Sequence, residues 1–119
     1  MLEDLLHYSA LFDFYGALLT DKQRRCLVMH LFEDYSLSEI GEAFSISRQA
    51  VHDMLRRSEQ AMEAYEARLG LLARHDAERA QLARIYDGLD ALDAKDEAAK
   101  GALLTALAPL AGREERYDF

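Results

Sequence analysis

The chain is 119 residues long, one domain by length, and half of its residues are hydrophobic, enough for a small core. A formal net charge of −8 weighs against holding a polyanion by bulk charge alone, while six glycines, one proline and no tryptophan, in a chain rich in Ala, Leu, Glu and Arg, predict an all-α fold. No run approaches the roughly 18 apolar residues of a membrane span. The start, MLEDLLHYSALFDFYG, carries acids where a secretion signal carries bases, so a cytoplasmic protein without membrane insertion is expected.

Leu5, Leu6, Leu11, Phe12, Phe14, Tyr15, Leu18 and Leu19 recur at helical spacing and predict a first helix over residues 2 to 19, with most of one side buried. Thr20-Asp21 opens a second helix, Asp21 suiting its positive end, with Cys26, Leu27, Met29, His30, Leu31 and Phe32 as its apolar part; it ends near Glu33-Asp34-Tyr35. Cys26 is the single cysteine, which excludes an internal disulfide and suits a buried thiol.

Residues 36 to 57, SLSEIGEAFSISRQAVHDMLRR, have the pattern of a helix-turn-helix. Counted from Leu37, the fourth, eighth, tenth, fifteenth and eighteenth positions need apolar side chains and hold Ile40, Phe44, Ile46, Val51 and Met54. Gly41 stands where the two helices cross most closely. Ser45 stands where the backbone turns left-handed and glycine is cheapest, a departure costing about 1 kcal/mol. Ser36 and Glu39 make a capping box, and Ser47 caps a recognition helix beginning at Arg48.

The recognition helix has no breaker before Gly70, the first hinge. From Leu71 a new pattern runs through His75, Glu78, Leu82, Ile85, Leu89 and Leu92; the last four form a heptad-like seam, equally suited to packing within the chain or on a second copy in a homodimer. A further helix, DEAAKGALLTALAPL, is expected to bury Leu103, Leu104 and Leu107 and to end at Pro109 and Gly112. The expected organisation is a helix-turn-helix domain over residues 1 to 70, a C-terminal helical arm over 71 to 111 and a flexible tail over 112 to 119.

Enzyme chemistry finds no support. His7, His30, His52 and His75 stand far apart with no Cys/His cluster, so no metal or cofactor is expected. The adjacent acids Glu33-Asp34 and Glu114-Glu115 have the pattern of solvated charge, and no glycine-rich phosphate loop occurs. Nucleic-acid binding is better founded. Ser47, Arg48, Gln49 and His52, at the start of the recognition helix, are candidates for base-edge contacts, with Arg48 suited to guanine and Gln49 to adenine. Arg56 and Arg57, with Lys22, Arg24 and Arg25 from the supporting helix, are candidate phosphate clamps. From Thr20 to Ser58 six basic residues meet six acids, so the motif is neutral and the excess negative charge lies elsewhere.

LFDFYGALLTDKQRRCL followed by DYSLSEIGEAFSISRQAVHDMLRRSEQAMEAYEARLGLL resembles the YlxM family of small bacterial helix-turn-helix proteins over about residues 8 to 73. The resemblance implies a core similar to region 4 of bacterial sigma factors. It also implies an accessory role in the signal recognition particle pathway, beside whose GTPase and receptor genes the family's genes commonly lie. The expected partners are that GTPase, its RNA or both, with acidic helices meeting a basic GTPase domain. The alternative is a dimeric, sequence-specific transcription regulator reading duplex DNA.

Overall fold

A computed structural model describes residues 2 to 113, with side chains from Asp4 onward. The expected flexible tail, from Glu114 on, lies outside the described residues. Six α-helices and no strand make up what is described: α1 (Leu2–Tyr15), α2 (Asp21–Leu31), α3 (Leu37–Phe44), α4 (Arg48–Leu69), α5 (Leu71–Asp90) and α6 (Glu97–Ala111). The all-α, helix-turn-helix reading holds. The helices fall into two compact units, one ending at Leu72 and the other beginning at Ala73.

In the first unit the helix boundaries follow from local hydrogen bonding. Thr20 and Gln23 form a reciprocal capping box at the start of α2, and Ser36 and Glu39 do the same for α3. Hydrogen bonds from the Ser36 backbone and side chain lower the Glu39 carboxyl below its usual range and outweigh the upward effect of burial. The first helix is shorter than its periodicity predicts. It stops at Tyr15 and gives way to a single 3-10 turn over Gly16–Leu18, where the Phe12 ring lies 2.9 Å from the place a Cβ on Gly16 would take. Helix α2 ends at Leu31 with Phe32 as its cap, and the turn that follows passes through Asp34 at φ 57°, a left-handed aspartate where glycine is usual. Helix α4 runs unbroken to Leu69 and is stopped by Gly70 at φ 62°.

The core gathers Leu11, Tyr15 and Leu19 from α1 and the turn after it, Cys26, Leu27 and Leu31 from α2, Ile40 from α3, and Val51, Leu55 and Met62 from α4. Each such side chain contributes about 1.5–3 kcal/mol when fully buried. Cys26 is a free, buried thiol as expected. Ser58 is fully buried as well, and its hydroxyl donates to Met54 O at 2.8 Å, so its burial leaves no orphan donor. Two of the apolar residues expected in the first helix stay exposed, Leu6 of α1 by 61% and Leu18 of the turn after it by 55%.

In the second unit α6 is capped by Asp96, which accepts from Ala99 N at 3.0 Å. Lys100 Nζ reaches Leu92 O at 2.5 Å, and Arg113 forms a two-pronged pair with Asp87 at 2.8 and 3.2 Å. That pair holds the Asp87 carboxyl below its ordinary range. Helix α6 passes through Pro109 and ends only at Gly112, because a proline in a last turn forfeits a single hydrogen bond. The expected burial of Leu103 is not found; it is 58% exposed, and Ala111 is the one buried residue of α6 among those described. Helix α5 buries no residue.

Candidate nucleic-acid interface

The helix-turn-helix is built by close approach of two backbones. A Cβ on Gly41 would stand 2.7 Å from Ile46 O, so α3 packs directly against the turn that leads into α4. Ser45 adopts φ 57°, ψ 43°, the left-handed conformation expected of it, and Ile46 N donates to Gly41 O at 2.9 Å across the turn. The turn thereby aims the first residues of α4 outward.

The candidate contact residues sit in different circumstances. The Ser47 hydroxyl accepts from Ala50 N at 3.0 Å and so serves as the helix cap. Arg48 and Arg57 are exposed. Gln49 is exposed too, but its amide donates to Asp53 Oδ1 at 3.0 Å, and His52 Nδ1 lies 3.7 Å from the same carboxylate oxygen. One acid therefore engages two of the four candidate base-reading residues. On α2, Lys22 is exposed, Arg24 pairs with Asp21 at 3.0 Å, and the Arg25 guanidinium stacks 5.0 Å above the Phe44 ring centre. A stacked arginine keeps its charge, so Arg25 remains available to a phosphate while adding about 0.5–1 kcal/mol of contact with α3.

Arg56 is placed apart from Arg57. It is exposed but lines a groove between α1, α2 and α4 with Tyr8, His30 and Glu59. The sequence reading missed this groove. Its trace in the sequence is the 4-3-4 spacing of His52, Arg56, Glu59 and Glu63, which puts four polar residues on one stripe of α4. Glu63 is hydrogen-bonded to His7 of α1. Burial raises the Glu59 carboxyl, helped by Asp4 and Glu63 and opposed by Arg56 and His52. Burial also lowers the His30 imidazole, which favours its neutral form.

The proposed self-association residues lie in the second unit. Ile85 and Leu92 are exposed by 52% and 58%, while Leu82 and Leu89 are partly covered. Among the described residues no three His, Cys, Asp or Glu side chains gather as a metal site, and no helix is long and apolar enough to cross a membrane.

Residues 2 to 101 match the protein family described as "Putative helix-turn-helix protein, YlxM / p13 like". A UPF0122 protein of Thermoanaerobacter sp. (strain X514) is 48% identical over 88 residues, covering 74% of this chain and 75% of that protein. One from Symbiobacterium thermophilum is 44% identical over 92 residues, covering 77% and 86%, and one from Geobacillus kaustophilus 46% identical over 87, covering 73% and 79%. The family match runs beyond the helix-turn-helix, through α5 and into α6.

Proposed function

The chain belongs to the YlxM / p13-like helix-turn-helix family, and from that premise we propose that it is a non-enzymatic, cytoplasmic regulator of the signal recognition particle pathway. It binds the particle's GTPase, its RNA or both through the first unit, while the Leu82, Ile85, Leu89 and Leu92 seam serves self-association. The observation that carries the preference over duplex DNA is the Gln49–Asp53 contact. A carboxylate in the middle of the recognition-helix face repels phosphates on both sides of a major groove and occupies the amide that would read adenine. The same face, with Arg57 one turn after Asp53, suits a protein surface of mixed charge or an isolated RNA phosphate.

A second reading, sequence-specific control of transcription, draws on the capped start of α4, where exposed Arg48 and Gln49 occupy the positions from which such helices read bases. Fluorescence anisotropy separates the two. Labelled protein is titrated with reconstituted signal recognition particle at physiological salt in the presence of excess random duplex DNA. Saturable binding that survives the competitor supports the targeting role; no binding, or binding that the duplex erases, moves the assignment to transcription.

A further inference from the structure

The groove between α1, α2 and α4 has a volume of about 460 Å3 and combines Asp4, Tyr8, His30, Arg56 and Glu59 with the apolar side chains of Leu5 and Leu31. The Arg56 guanidinium acts electrostatically on both the Glu59 carboxylate and the Tyr8 hydroxyl, and the His30 ring lines the same groove. Four polar groups thus converge on one concave surface that is open to water, where a ligand can replace the solvent. Glu59 and His30 are both partly buried, and that burial raises the Glu59 carboxyl and lowers the His30 imidazole.

The charge of the groove selects the kind of ligand. Asp4 and Glu59 line it, and Glu63 lies near enough to act on Glu59 and on Tyr8, whose hydroxyl is raised first by burial and then by Glu59, Glu63 and Asp4. The one guanidinium lining the groove, Arg56, acts on Glu59 and on Tyr8, against two lining carboxylates. An anion entering here meets a net negative field, whereas a cation relieves it.

We propose that this groove receives the guanidinium of an arginine side chain presented by a partner protein. A guanidinium is planar and carries five N–H donors, which matches the carboxylate of Glu59 and a neutral His30 nitrogen as acceptors. The Tyr8 ring offers it a face to stack on, and Leu5 and Leu31 offer apolar surface to the stem of the side chain. A lysine ammonium is a compact, strongly hydrated point charge and uses neither the ring nor the two-pronged geometry. The identity of the partner as a protein rests on the regulatory reading above; the guanidinium preference rests on the groove alone.

The test is an amide NMR titration of the full chain with N-acetyl-arginine amide, alongside its uncharged citrulline counterpart and inorganic phosphate. The expected result is saturable shifts at Tyr8, His30 and Glu59 with the arginine probe alone, lost in Glu59→Gln and in Tyr8→Leu. Arg56→Gln, which removes the competing cation, tightens the arginine probe by roughly twofold to fivefold. Equal shifts with citrulline, shifts spread evenly over the surface acids, shifts from phosphate in place of arginine, or no shifts at all overturn the proposal. Particle binding is measured on the same variants. Arginine shifts without particle binding uphold the groove and remove the targeting role, whereas particle binding by a chain whose groove ignores arginine does the reverse.

Discussion

Tyr15, fully buried in α1, donates its phenolic hydrogen to Glu66 Oε1 at 2.6 Å across fifty-one residues of sequence. The same phenol oxygen accepts from Leu71 N at 3.2 Å, and the same carboxylate oxygen accepts from Leu72 N at 3.0 Å. Two side chains from other helices thus cap the first turn of α5, which has no capping residue of its own. Burial, reinforced by the Glu66 hydrogen bond, raises the Tyr15 hydroxyl and keeps it a donor.

Tyr15→Phe keeps the ring and removes the hydroxyl, so that Glu66 loses one of its hydrogen bonds and Leu71 N loses the phenol. Its Tm, followed by circular dichroism, falls by about 5 °C, the shift expected of one lost buried hydrogen bond in a domain this size. An unchanged Tm means that water replaces the phenol.

Gly41→Ala places a methyl group 2.7 Å from a backbone oxygen that has no rotamer to yield. Urea denaturation should show a loss of about 1–3 kcal/mol. Ser45→Gly in the same turn acts oppositely and gains up to about 1 kcal/mol by relieving the left-handed backbone. A neutral Gly41→Ala shows that the helices separate without cost.

Asp53→Asn removes the carboxylate between Gln49 and His52. Affinity for random duplex DNA at low salt rises by roughly twofold to fivefold, read by anisotropy, because one like-charge repulsion is gone. No change at any salt concentration indicates that this face does not approach phosphates. Under the transcription reading, Arg48→Ala with Gln49→Ala alters sequence preference in a selection from random DNA; unaltered preference removes direct readout by this pair.

Glu59→Gln changes how stability depends on pH. The folded state raises the Glu59 carboxyl above its unfolded value, chiefly by burial, so ionising it opposes folding. That penalty is absent below the ordinary glutamate pKa of about 4.3 and grows as pH rises through the raised value. The variant therefore melts higher than the parent at pH 7, and the gap closes towards pH 4. A gap of constant size across that range assigns the effect to packing.

Ile85→Asp tests the seam. Sedimentation equilibrium of the parent chain gives a dimer and of the variant a monomer, since Ile85 and Leu92 expose more than half of their surface. A monomeric parent removes the seam as a self-association site.

Local chemistry was readable in the sequence because its partners lie three or four residues apart. The Ser36–Glu39 box, the Ser47 cap, the left-handed Ser45, the crossing glycine at position 41 and the stop at Gly70 all follow from residue type at short spacing. The helix-turn-helix and its family follow from the same pattern. Packing between helices decided the rest. Periodicity marks Leu103 as apolar but does not supply a neighbour to cover it, and it stays exposed. Arg56 and Arg57 look alike in the sequence, yet one lines a groove against Tyr8 and the other does not, because consecutive residues on a helix point about 100° apart. The junction of Tyr15 with Glu66 and the groove of Tyr8, His30 and Glu59 join three helices, and only the angles at which those helices cross bring such distant groups within reach.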